Sequence, residues 1–89
     1  MPLVLSPEQS RAARAWLGWS QAELAQEANV SLRTIQAFEK GGRVPMANNI
    51  TAIRRVLEIA GIELVFDRTG KAAGILRSDA EFSPTKRSL

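Results

Sequence analysis

The sequence predicts an all-α domain of four or five helices that ends in a short C-terminal β-hairpin. Three observations predict it. Serine recurs just ahead of apolar-periodic stretches, glycine or asparagine recurs just behind them, and at Ile62 the apolar spacing changes from that of a helix to that of a strand. Serine opens a helix because its hydroxyl accepts one of the backbone N–H groups that the first turn leaves without a partner. Glycine closes one because, lacking a Cβ, it takes the left-handed conformation at little cost.

Taken in order, Ser6-Pro7-Glu8-Gln9 starts the first helix: Ser6 caps, Pro7 suits the first turn, and Gln9 sits where a capping-box partner reaches back. That helix runs to about Leu17 and stops at Gly18. Ser20-Gln21-Ala22-Glu23 repeats the signature, so a second, short helix spans about residues 20–28. Asn29 tolerates a positive φ, and Ser31 caps a third helix from Leu32 to Lys40, which Gly41-Gly42 ends. A fourth stretch places Ile50, Ile53, Leu57 and Ala60 on one face and ends at Gly61. Its start lies near Met46, which cannot cap, or at Asn48 or Asn49, which can.

From Ile62 the apolar residues Ile62, Leu64 and Phe66 alternate with Glu63, Val65 and Asp67, as in a strand with one apolar face. A turn containing Thr69-Gly70 follows, and residues 72–77 return as the second strand, with Gly74 a weak point. Residues 78–89 are polar, contain Pro84 and lack periodicity, which reads as a flexible tail. The organisation expected is a helical domain over 1–61, a hairpin over 62–77 for packing or dimerisation, and the tail. The expected core is Leu24, Ala25, Val30, Ile35 and Phe38, closed by Leu17 and Trp19.

A chain of 89 residues has room for one small core and no separate catalytic domain. Cysteine and histidine are both absent, which removes disulfides, thiol nucleophiles, the usual zinc sites and the commonest general base, and argues against an enzyme. No cofactor or metal site is indicated. Net charge is +3 and the isoelectric point is about 10.2, a cationic balance suited to phosphate partners. No apolar run approaches the roughly 20 residues of a membrane span, and Met1 to Leu5 lacks the features of a secretory signal, so the expected location is the cytoplasm.

Two short capped helices joined by a tight turn and backed by a first helix make a helix-turn-helix, which presents its second helix to the DNA major groove. Residues 14–45 carry Arg14, Gly18-Trp19-Ser20-Gln21, Leu24-Ala25, Val30-Ser31, Ile35, Glu39-Lys40-Gly41, Arg43 and Pro45 in order. This series resembles the XRE, or Cro/cI-like and lambda-repressor-like, helix-turn-helix family of transcriptional regulators. Two positions depart from the family pattern: Asn29 replaces the usual glycine of the turn, and Leu32 stands where polar groups often face DNA.

The resemblance implies that Ser20 and Gln21 meet a phosphate at the start of the second helix, fixing register rather than sequence. On the third helix Ile35, Phe38 and Glu39 turn inward, leaving Ser31, Leu32, Arg33, Gln36, Ala37 and Lys40 for the groove. Arg33 suits guanine, Gln36 suits adenine, and Leu32 or Ala37 suits a thymine methyl. Lys40 and Arg43 neutralise phosphates, while Arg14 and Glu39 form a structural ion pair across the first and third helices. Arg54-Arg55 and Lys86-Arg87 read as solvated surface. Trp16 is expected to pack, in the core, beneath the hairpin or against a second subunit, rather than to stack on a base.

The implied function is a sequence-specific regulator, a repressor that also acts on its own gene, binding double-stranded palindromic DNA as a homodimer and associating with the nucleoid. Val56, Ile59 and the strand from Ile62 to Phe66 are the expected dimer contacts. The alternative is an antitoxin or anti-activator whose main partner is a protein, a toxin or an activator, with DNA binding secondary.

Overall fold

The computed structural model describes residues 3–42 and 45–77. Arg43 and the expected tail lie outside the described residues. The elements are α1 (Pro7–Leu17), α2 (Gln21–Ala28), α3 (Leu32–Lys40), α4 (Ala47–Ile59), β1 (Ile62–Phe66) and β2 (Ala72–Arg77).

Local chemistry sets the helix ends. The Ser6 hydroxyl accepts from the Gln9 N–H and the Gln9 side chain accepts from the Ser6 N–H, both at 3.0 Å, so two otherwise open donors are satisfied reciprocally. Ser20 and Glu23 repeat this at α2, and the Ser31 hydroxyl accepts from the Thr34 N–H at α3. Gly18 ends α1 in the left-handed region at φ 73°. α2 ends on Asn29 at φ 57°, the only non-glycine with positive φ among the described residues. Asparagine tolerates this region where alanine pays a steric cost of about 1–2 kcal/mol. Asn29→Ala is therefore expected to lower unfolding stability by about that amount in urea titrations, with Asn29→Gly within about 0.5 kcal/mol of wild type.

α4 departs from the capping rule. It starts at Ala47 behind Met46, which makes no side-chain cap, so Asn48 and Asn49 lie inside the helix rather than ahead of it. Packing holds this helix instead, because Ile53 and Leu57 are fully buried.

The core gathers one face of the four helices and of β1 together with Leu5: Leu5, Ala13, Leu24, Ala25, Ala28, Ile35, Phe38, Ile53, Leu57, Ile62 and Leu64, with Ile75 of β2 packed half-buried against them. Leu17, Trp19 and Val30 pack on it half-buried. Each fully buried leucine or isoleucine contributes about 1.5–3 kcal/mol relative to exposure. Leu5, ahead of α1, belongs to this core although no periodicity marks it. α2 packs on α3 and α4, α1 on α3 and β2, and α4 on β1. No helix among the described residues is long and apolar enough to cross a membrane.

β1 and β2 pair antiparallel, with Ile62 opposite Arg77, Leu64 opposite Ile75 and an irregularity after Val65. The hairpin belongs to the same core, for Ile62 and Leu64 are buried in it. Gln9 fastens it to α1: the side-chain Nε2 donates to the Val65 carbonyl at 3.0 Å and to the Gly74 carbonyl at 2.9 Å. Trp16 lies neither in the core nor beneath the hairpin; it is 62% exposed. Nor is Arg54 simply solvated. It donates to the Leu3 carbonyl at 2.6 Å, pairs with Glu58 at 3.0 Å and stands 5.5 Å from the centre of the Phe66 ring.

Candidate nucleic-acid interface

α3 has two faces with opposite electrostatic character. Ile35, Phe38 and Glu39 turn inward and are buried. Its outward face carries Leu32, Arg33, Gln36 and Lys40, all exposed, with Ala37 half-buried beside them. The helix has one acidic residue, Glu39, and that carboxylate is removed from the surface and neutralised.

The neutralisation is geometrically complete. Arg14 from α1 donates Nε to both Glu39 carboxylate oxygens at 3.0 and 3.1 Å and Nη2 to one of them at 2.7 Å. The Ser10 hydroxyl donates at 2.5 Å and the Gln21 amide at 3.2 Å. Arg14 Nη1 also donates to the Trp19 carbonyl, tying the α1–α2 turn to the same cluster. Burial pushes the Glu39 carboxyl up, but the hydrogen bonds from Arg14, Ser10 and Gln21 and the Arg14 charge outweigh it and hold it below the usual carboxylate range. The Glu39 hydrogen bond raises Arg14 in turn. Arg11 donates to the Glu39 backbone carbonyl and so satisfies one of the open acceptors at the end of α3.

No side-chain hydrogen bond or ion pair engages Arg33, Gln36 or Lys40 among the described residues, whereas Arg11, Arg14 and Gln21 are all engaged. Outward-facing donors are thus uncommitted, and inward-facing ones are spent. Ser20 and Ser31 are exposed, with their hydroxyl oxygens accepting cap bonds. The Ser31 and Thr34 hydroxyls also bond each other at 2.8 Å. Next to Ser20, the N–H groups of the first turn of α2 face away from their own helix, a positive end suited to an anion.

Sequence reasoning missed Ser10, Arg11 and the Gln21 bond to Glu39. Ser10 was detectable, since it lies one turn before Arg14 on the same side of α1. The other two depend on how α1, α2 and α3 meet.

α2, a turn holding left-handed Asn29, and α3 packed against α1 is the spatial order of a helix-turn-helix. The comparison with protein families agrees: a helix-turn-helix family model matches residues 11–64, more than half of the chain. The chain belongs to the XRE, lambda-repressor-like helix-turn-helix family. No curated protein matches the sequence. As an XRE-type protein it is a DNA-binding transcription regulator. The family match covers α2, α3 and α4 whole and reaches Leu64, so residues 62–64 of β1 fall within it.

Proposed function

We propose that this regulator is a repressor that binds a palindromic operator as a homodimer, with α3 reading base edges in the major groove. The observation that carries the reading is the outward face of α3, which is free of acid and holds uncommitted Arg33, Gln36 and Lys40. Arg33 offers the paired donors that match guanine, Gln36 the donor and acceptor that match adenine, and Lys40 with Arg43 the charge that neutralises phosphates. Gln21 and Ser20 meet a phosphate through the backbone at the start of α2, because the Gln21 amide nitrogen is already held by Glu39.

One such helix covers too few base pairs to find a single site in a genome, so two copies on half-sites about 34 Å apart are needed. Of the contacts expected for the dimer, the side chains of Ile62 and Leu64 are buried in their own core and Val56 packs half-buried on it, which leaves Ile59 exposed. Ile59, Leu76 and Trp16, at 77, 55 and 62% exposure, are among the exposed apolar side chains on which the proposed pairing would draw. A dimer seated on promoter DNA excludes polymerase sterically, which is the repression proposed.

Anisotropy titrations on DNA upstream of its own gene, at two salt concentrations, test this. Arg33→Ala should weaken operator binding about ten- to a hundredfold and leave unrelated DNA unaffected. Lys40→Ala should weaken both and lower the salt slope by about one. Equal binding of operator and unrelated DNA by the wild type would refute the reading.

A further inference from the structure

α3 begins with an apolar side chain in the open. Leu32 is its first residue and 41% exposed, while the other large apolar residues of the helix, Ile35 and Phe38, are buried. Leu32 takes no part in holding the helix start: Ser31 caps it, Val30 and Ile35 occupy the two positions that staple an N-terminus, and Leu32 lies outside the core cluster. Its neighbours on the exposed face are Arg33 beside it and Gln36 one turn on, both uncommitted.

The residues at the start of a recognition helix are those that reach the base edges. The floor of the major groove there presents hydrogen-bonding atoms and one apolar group, the methyl on carbon 5 of thymine. Leucine laid on a purine N7 or a cytosine amino group would strip away water and return no bond, which is unfavourable. Laid on a 5-methyl group it buries apolar surface on both sides. Ala37, half-buried and with a side chain of one carbon, reaches less far from the same face.

We propose that Leu32 reads the 5-methyl group of a pyrimidine beside the base read by Arg33, so that the protein distinguishes a methylated pyrimidine ring from an unmethylated one. The inference rests on α3 being the base-reading helix. The shared chemistry is the 5-methylpyrimidine edge, found in thymine and in 5-methylcytosine. Binding to a site containing the second would follow the methylation state of the DNA.

The test uses the full chain and an operator recovered by selection from a random duplex library. Each thymine is replaced in turn by uracil, which removes only the methyl group. One position should lose affinity about fourfold per half-site, the worth of one buried methyl. At that position a cytosine–guanine pair should gain the same factor when the cytosine is methylated at carbon 5, and comparing it with the thymine duplex identifies the preferred source. Leu32→Ala, which removes an exposed side chain outside the core, should bind the methylated and unmethylated duplexes alike. The inference is overturned if uracil is tolerated at every position, or if the Leu32→Ala variant keeps the full methyl effect. Failure to recover any operator would instead remove the underlying reading, and the inference with it.

Discussion

Glu39→Ala is expected to lower the free energy of unfolding by about 3–5 kcal/mol, measured by urea titration near neutral pH. The substitution strands the Arg14 guanidinium, whose side chain is only 18% exposed, and leaves the Ser10 hydroxyl and the Gln21 amide without their acceptor. Removing one member of a hydrogen-bonded pair costs far more than replacing both, because the survivor keeps its desolvation penalty. Acid should act in the same direction. Since Glu39 is held below the usual carboxylate range in the folded state, its contribution is complete above that range and is lost as pH falls through its lowered value. Wild-type stability should therefore decline in acid, and Glu39→Gln should remove much of that decline. Asp67, also lowered, chiefly by the Thr69 hydroxyl, leaves a residual slope in both proteins. A Glu39→Ala variant as stable as wild type would sink this account of the cluster.

Ile35→Ala is expected to cost about 2–5 kcal/mol, because the side chain is fully buried between α3 and the rest of the core and its removal leaves a cavity. Two residues away, Arg33→Ala should stay within about 0.5 kcal/mol of wild type, since the exposed guanidinium engages no side chain or backbone group among the described residues. The pair separates the two faces of one helix: the first substitution should reduce DNA binding only as far as it depletes folded protein, the second without depleting it. Circular dichroism alongside anisotropy distinguishes them. Comparable thermal midpoints for the two variants would mean that the inward and outward faces have been misassigned.

The parts of this fold that were legible in the sequence are those set by near neighbours. Ser6 with Gln9, Ser20 with Glu23, and Ser31 with Thr34 act across three residues, so α1, α2 and α3 begin where their serines say. Alternation from Ile62 marked β1 and its apolar face. What alternation does not encode is the identity of the surface that face meets: Ile62 and Leu64 were expected to serve a second subunit and instead complete their own core. Likewise α4 begins at an uncapped Met46, because the burial of Ile53 and Leu57 overrides the weaker local signal of Asn48 and Asn49. At the interface, helical spacing read together with the family resemblance separated Arg33 and Gln36 from Ile35 and Phe38. Spacing could not reveal that the Gln21 amide is drawn to Glu39, since that bond joins two helices whose angle no short stretch of sequence specifies.

The Gln9 amide, which opens α1 and also grips the hairpin, sets an order of assembly. Its bonds to Val65 and Gly74 close loops of 56 and 65 residues, against 18 to 29 for the links that converge on Glu39. Closing the longer loops carries an extra entropic cost of roughly 0.8 kcal/mol. Nucleation therefore favours the helical cluster, with the hairpin joining afterwards, and the same contacts are expected to open first in the native state. Amide protons of β2 should then exchange with solvent sooner than those of α3, which lets the hairpin fluctuate while the DNA-reading helix keeps its shape.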